Sequence, residues 1–398
     1  MSASNSSSQL RVVVVGGGNS TPIFATLAKT AGHHVTILTR RPQDWSKEIG
    51  FQNEDPGYLN GLKELKCQVD LTTSDPALCV PAADLIFLAG IPVHHNEQVG
   101  LTRDRYGGFN WVAAGALGEG NYSLFGTQLI PWTCGTVQYG QTGVVFGAKR
   151  MLRIATEDGR DQNGVKQILS GILQMSELVD TDFLACCLWP NNPSLHPPIL
   201  IGLFEQWDGK TPFKREDLPV YIYKDLRTRS AKFLVDLDLE LCALVAKLSK
   251  VHPGNEFLKL DYSMKACVLE NYKEQVLNSW DTVSCVSSCV AFGKHKIPYT
   301  EVSPGMVVPT LKHKFFETDL THGLTTWKDM AIMCNMETPI IDLIIKWNQR
   351  LNGKEYLAFD GTLTGKDIDE CIIPSKIGVK LSTLTQGNRS QTSKKPRL

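Results

Sequence analysis

The sequence predicts an α/β chain, with a doubly wound parallel sheet in its N-terminal part and an all-helical domain after it. Three observations carry this expectation. Four valines, Val12 to Val15, lead straight into the glycine turn Gly16-Gly17-Gly18 and a helical pattern over residues 21–31. Strand-like and helix-like segments then alternate, and from Trp189 apolar residues recur at helical spacing instead. The expected divisions are 9–188 for the sheet domain, 189–383 for the helical domain and 384–398 for a disordered tail.

The valine run fits a strand covered on both faces, as in a parallel sheet. Gly16 permits the tight bend and Gly18 the close approach of backbone to a pyrophosphate, with Asn19 between them and the helix. The helix start would aim its N–H groups at that phosphate. Thr21 stands where the fingerprint has its third glycine. A second strand over residues 34–39 completes the context for a Rossmann dinucleotide site. It ends at Thr39-Arg40-Arg41, where a fold of this type presents an acidic residue to the adenine ribose; no Asp or Glu stands there. Arg40 and Arg41 either hold the 2′-phosphate of NADP or stack on adenine and face solvent. Residues 66–71 read as a third strand, Asp75-Pro76 opens a short helix, and residues 84–92 form a fourth strand. Its loop, Pro92-Val93-His94-His95, falls at the carboxyl end of the sheet, so Pro92 is a cofactor contact. His94 and His95 are site candidates or exposed loop residues. Short apolar runs at 111–114, 129–130 and 143–146 would extend the sheet.

Residues 189–199, with four prolines, read as a break in regular structure and the domain junction. Beyond it, Leu237, Leu241, Leu244, Val245 and Leu248 share a helical face. Thr338-Pro339 pairs a capping hydroxyl with an N1 proline ahead of Ile341, Ile344 and Trp347, and Asn352-Gly353 ends that helix.

Composition narrows the function. The 398 residues are 42% hydrophobic and 21% charged, an ordinary globular mixture, and basic and acidic residues are equal at 41 each, which argues against nucleic acid or an acidic membrane as partner. A polar start without a basic and apolar leader, and the lack of a long apolar run, make a cytoplasmic protein the expectation. The eleven cysteines lack paired zinc-like spacing and read as reduced thiols with no metal.

Several stretches carry a specific resemblance: Ile130-Pro-Trp132-Thr-Cys134, His196-Pro-Pro-Ile-Leu with Trp207-Asp-Gly-Lys210, Phe315-Phe-Glu317-Thr-Asp319, and Gly353-Lys-Glu-Tyr-Leu-Ala-Phe-Asp-Gly361-Thr-Leu-Thr-Gly365-Lys-Asp367. In this order the chain resembles the opine dehydrogenases of marine invertebrates. The resemblance implies a Rossmann domain and a helical domain with the reaction in the cleft between them, in a monomer. It also implies a reaction in which pyruvate condenses with an amino acid and NADH reduces the imine, as in anaerobic glycolysis.

The resemblance places the catalytic histidine at His196 and its partner aspartate at Asp319, a pair suited to proton exchange near neutrality. The arginine that holds the pyruvate carboxylate falls on Lys314, with His313 adjacent, and Cys134 matches a position near the substrates. Cys267 stands for a tryptophan of the amine pocket, Gly135 for an arginine and Asn192 for an aromatic residue. These losses argue against arginine as the amine and for taurine, glycine, alanine or β-alanine, giving tauropine, strombine or alanopine. Two alternatives stay open: a 2-hydroxy-acid or sugar-acid dehydrogenase of the same layout, and a non-catalytic dinucleotide-binding protein, to which Thr21 and Lys314 lend weight.

Overall fold

The structure, a computed structural model, describes residues 9–89, 125–156 and 162–384. The chain divides into two compact units, Met1–Asp180 and Thr181–Leu398. The division precedes Trp189 because the helix α3 (Phe183–Leu188) is tied to the second unit: the Trp327 indole donates to the Cys187 carbonyl at 2.8 Å and Asn255 to Asp182 at 2.5 Å.

In the first unit, β1 (Arg11–Val15) and β2 (His34–Leu38) precede the paired strands β3 (Glu48–Asn53) and β4 (Glu64–Gln68). After them come β5 (Leu71–Thr73) and β6 (Leu85–Leu88). The order β5-β2-β1-β6 makes an all-parallel sheet. Its valine strand is buried on both faces as expected: Val12 and Val14 enter one apolar cluster, Val13 and Val15 the other. Burying each valine contributes about 1.5–3 kcal/mol. The region read as one strand over 66–71 is two, β4 ending at Gln68 and β5 beginning at Leu71, with exposed Asp70 between them accepting the Val35 N–H at 2.7 Å.

The helix α1 (Thr21–Thr30) is buried at every residue over 21–28. A helix that is enclosed all round needs cover on both sides. The cover comes from residues expected to extend the parallel sheet. The strands β7 (Phe125–Thr127), β8 (Trp132–Gln138), β9 (Thr142–Ala148), β10 (Met151–Thr156) and β11 (Glu177–Asp180) join two other sheets, ordered β4-β3-β9-β8 and β11-β10-β7. A Cβ on Gly143 of β9 would lie 3.1 Å from Ile23, so α1 is clasped between the parallel sheet and β9. Residues 129–130 form no strand, and residues 111–114 lie outside the described residues. The helix α2 (Gln162–Leu173) buries Val165, Leu169, Ile172 and Leu173 in the same core.

The second unit is mostly helical, with a small antiparallel sheet added. The proline-rich segment corrects the sequence reading: residues expected to break regular structure form the helix α4 (Asn192–Phe204), with Pro197 and Pro198 inside it. Interior prolines forfeit hydrogen bonds. They are outweighed by a capping box at Asn191 and Ser194 and by burial of residues 193–201. Packing on α5 (Thr228–Val251) is close: a Cβ on Gly202 would lie 2.4 Å from Ser230 Cα, and the Ser230 hydroxyl donates to the Ile199 carbonyl at 2.8 Å. The predicted apolar face of α5, Leu237 to Leu248, is buried.

The helices α6 (Met264–Tyr272) and α7 (Thr282–Ser288) follow. The small sheet is β12 (Phe213–Lys214), β13 (Tyr299–Ser303) and β14 (Met306–Pro309), ordered β12-β14-β13. A π turn, Leu320–Leu324, leads into α8 (Thr325–Met333), and α9 (Pro339–Asn352) ends on Gly353 at φ +65°. The α9 start differs from expectation. Thr338 does not cap it; the Glu240 carboxylate of α5 accepts the Ile340 and Ile341 N–H groups at 3.0 and 2.8 Å. Thr338 is drawn away by Lys328, whose ammonium meets its hydroxyl at 3.0 Å and Asp342 at 2.6 Å.

Candidate active site

His196 and Asp319, distant in sequence, meet in the second unit. The second turn of α4 carries His196, and Asp319 immediately precedes the π turn, a distortion often found at functional sites. The elements touch through Gly323, where a Cβ would lie 2.1 Å from Pro193 Cγ. His196 Nδ1 and Asp319 Oδ2 are 2.6 Å apart, with the two residues 3% and 6% exposed. The His196 ring stacks on Phe315, centroids 3.5 Å apart. Its Nε2 lies 2.6 Å from the Tyr223 hydroxyl. With Asp319 ionised, the network assigns the proton to Nδ1, so Tyr223 donates to Nε2.

Tyr223 was not singled out in the sequence. It sits in an irregular segment whose sole sequence feature is the aromatic pair Tyr221-Ile-Tyr223, common to many loops. The segment is fixed by Asp225, which accepts the Val220 and Tyr221 N–H groups at 3.0 and 2.9 Å, and by Ile222 N–H donating to the His295 carbonyl at 2.9 Å. Phe292 and His295 pack on the Tyr223 ring at 5.1 and 5.7 Å.

Burial sets the electrostatics. It lowers the His196 pKa below the ordinary imidazole value, Asp319 opposes that by charge and hydrogen bond, and the Lys314 ammonium adds to the lowering. Burial, with His196 and Lys314 nearby, pulls His295 down to about 4; burial, Lys314 and His196 do the same to His313. Burial also drives the Tyr223 phenol well above its ordinary value. Near neutrality the site therefore holds neutral His295 and His313 and a protonated Tyr223, beside Lys314.

The other expected substrate residues fall in different surroundings. Lys314 is half-buried, its Nζ 5.9 Å from the Phe315 centroid. Asn192 is exposed one turn before His196. Cys267 is buried behind the chain entering α4, where its thiol accepts the Trp189 indole N–H at 3.0 Å. Cys134 belongs to the first unit, half-buried against its core.

The glycine turn in the first unit has the form a dinucleotide needs. Gly16 sits at φ +129° and its N–H donates to the Leu38 carbonyl at 2.9 Å. Exposed Gly18 leaves a backbone gap; a Cβ there would lie 3.2 Å from the Ala89 carbonyl. Ser20 donates to that same carbonyl at 3.1 Å instead of capping α1, while in the first turn the Thr21 and Phe24 N–H groups go to the Gly18 and Ser20 carbonyls at 3.1 and 2.9 Å and Pro22 carries none. The Asn19 side chain accepts from Thr136 at 2.7 Å. Thr21 is fully buried, and its hydroxyl has no partner among the described residues. Arg40 and Arg41 are exposed; Arg41 lies over the Tyr139 ring at 5.0 Å and pairs with Asp44 at 3.4 Å. Tyr139, another residue the sequence reading missed, reaches over the turn: its hydroxyl would lie 2.9 Å from a Cβ on Gly17. These features fit NAD(H). Pro92, His94 and His95 lie outside the described residues. Among the described residues no His/Cys/Asp/Glu group is placed to hold a metal, no disulfide forms, and no helix is long and apolar enough to cross a membrane.

Known proteins resemble the chain along most of its length. Residues 179–352 match the family model for the alpha-helical domain of NAD/NADP octopine/nopaline dehydrogenases. The octopine dehydrogenase of Pecten maximus is 26% identical, over 93% of this chain and 96% of its own. The tauropine dehydrogenase of Arabella iricolor is 24% identical, over 92% and 97%. A solved octopine dehydrogenase in complex with NADH and agmatine has the same fold, with a TM-score of 0.76 at 24% identity over 98% of this chain and 100% of its own.

Proposed function

From a chain that resembles the opine dehydrogenases over 93% of its length, we propose an NAD-dependent oxidoreductase acting on CH–NH bonds, which joins the amino group of a small amino acid to the keto carbon of pyruvate. The observation that carries this reading is the buried Asp319–His196 pair at 2.6 Å. Condensation of an amine with a ketone consumes and releases protons at successive steps, so it needs a group able to hold a proton and return it. His196 supplies that capacity, and Asp319 fixes its tautomer and favours the imidazolium when it forms. Lys314 offers a positive charge to the keto-acid carboxylate, without the two-pronged geometry of an arginine.

The glycine turn and the start of α1 would hold the cofactor's pyrophosphate. Bound NADH supplies the hydride. Pairing of Arg41 with Asp44 at 3.4 Å favours NADH over NADPH, since it places an acid beside an arginine just past the end of β2. Exposed Asn192, enclosed Cys267 and Gly135, whose missing side chain is covered by Phe146 at 3.1 Å, provide no large aromatic or charged group for a long amine. The amine is therefore taurine, glycine, alanine or β-alanine. Each turnover would oxidise one NADH and remove one pyruvate, the stoichiometry that sustains glycolysis when oxygen is short.

The test is loss of nicotinamide absorbance with pyruvate and a panel of amines, using NADH and then NADPH. Turnover that requires both pyruvate and one of the four small amines is the expected result. Robust turnover with arginine and none with these four would reject the substrate assignment, and consumption of NADH with pyruvate alone would reject the condensation.

A further inference from the structure

We propose that Tyr139 is the partner of the adenosine ribose of NADH, and that it replaces, from a neighbouring hairpin, the acid that ordinarily ends the second strand. The inference rests on NADH binding at the glycine turn and is independent of the condensation. A Rossmann site holds the ribose through an Asp or Glu just past that strand. Here the position reads Thr39-Arg40-Arg41, so the ordinary acceptor is missing. Tyr139, in the turn between β8 and β9, brings a hydroxyl to the same place. A Cβ on Gly17 would lie 2.9 Å from that hydroxyl and 3.5 Å from Thr39 Oγ1, so the phenol stands between the glycine turn and the strand end.

The side chain is 41% exposed, which leaves the hydroxyl open to a ligand. Arg41 donates to its oxygen at 3.2 Å, and the phenol proton goes to no acceptor among the described residues. That proton can be given to a ribose hydroxyl, which then accepts where it would donate to an acid. The hairpin holds the tyrosine ready. Gly140 sits at φ +69°, and a Cβ there would lie 2.0 Å from the Asp44 carbonyl oxygen. The Gly140 and Gln141 carbonyls accept the Ser46 and Gly50 N–H groups, each at 2.9 Å, and the Trp45 ring meets Tyr139 edge-on at 6.1 Å. On the other flank Thr136 of β8 donates to Asn19 at 2.7 Å, and a Cβ on Gly143 of β9 would lie 3.3 Å from the Asn19 carbonyl oxygen. The hairpin is thus tied both to the glycine turn and to the segment after β2, so little ordering of Tyr139 is left for binding to cost.

The full chain is titrated with NADH, 2′-deoxy-NADH and 3′-deoxy-NADH, each analogue changed in the adenosine ribose, and binding is followed by nicotinamide fluorescence without turnover. In the parent, one of the two analogues should bind about 3- to 10-fold more weakly than NADH, the loss of one neutral hydrogen bond. Tyr139→Phe keeps the ring beside Trp45 and Arg41 and removes only the hydroxyl. It should bind NADH about 3- to 10-fold more weakly and lose nothing further on that analogue, with the melting temperature of the free protein unchanged. A merely structural hydroxyl would weaken NADH and both analogues by one factor and leave the parent's discrimination intact. That pattern overturns the proposal, as does a variant that binds NADH as tightly as the parent, or a parent that binds all three alike. Should the phenylalanine variant fail to fold, Tyr139→Leu is read by the same comparison. A parent that binds no NADH overturns this proposal and the cofactor reading together. A parent that shows the expected pattern but does not join pyruvate to an amine overturns the condensation alone.

Discussion

Asp319 determines which nitrogen of His196 carries the proton, and a one-atom change tests that. In Asp319→Asn the amide would present an N–H to Nδ1 and shift the proton to Nε2, so the ring would face Tyr223 as a donor. The expected outcome in steady-state kinetics is a kcat lower by about 100-fold or more with little change in the pyruvate KM. A variant that loses KM and keeps kcat would make Asp319 a substrate-binding group instead. At this scale the sequence was informative where chemistry is local. His196 among prolines and apolar residues, and Asp319 after Phe315-Phe-Glu-Thr, could be picked out once the resemblance was on the page. Tyr223 could not, because its role comes from a loop folding back to Nε2, and no pattern of neighbours encodes that. Nor could the placement of Cys267 behind Trp189, which depends on two helices meeting.

Among the elements, α4 and the π turn set the distance between His196 and Asp319. Gly323 allows their contact, since any Cβ there would overlap Pro193. Gly323→Ala should cost roughly 1–3 kcal/mol of stability, measured by denaturant unfolding, and should lower kcat further than it lowers NADH binding, because it moves α4 against Asp319. Unchanged stability would show that the turn yields without moving α4. The strand, turn and helix at the N-terminus were legible because each step uses short-range chemistry: buried valines, glycines at the bend, a helix start. The path of α4 was not, because proline propensity argued against a helix and tertiary burial prevailed. The same cause explains α9, where a glutamate from a distant helix displaces the expected threonine cap. Residues 143–146 were read correctly as strand but joined a different sheet, since strand partners are chosen by topology.

For the whole molecule, the buried histidines predict how stability depends on pH. His295 and His313 titrate near 4 in the folded chain against an ordinary 6.5, and His196 is also lowered. Groups depressed in this way bind protons more readily when unfolded, so their contribution is intact above about 6.5 and is lost as pH falls towards 4. Melting temperature should drop between pH 7 and pH 5, by about 2–4 °C for each kcal/mol lost. The paired change His295→Gln with His313→Gln should flatten that slope; an unaltered slope would place the dependence on the carboxylates. Whether the chain reduces an imine built from pyruvate and a small amine is read by following the hydride. NADH carrying deuterium at both C4 positions is supplied with pyruvate and the amine panel, and the products are weighed by mass spectrometry. The expected product is a secondary-amine dicarboxylate, or its sulfonate counterpart from taurine, carrying a single deuterium on the former keto carbon. Deuterated lactate with the amine left unreacted would contradict it.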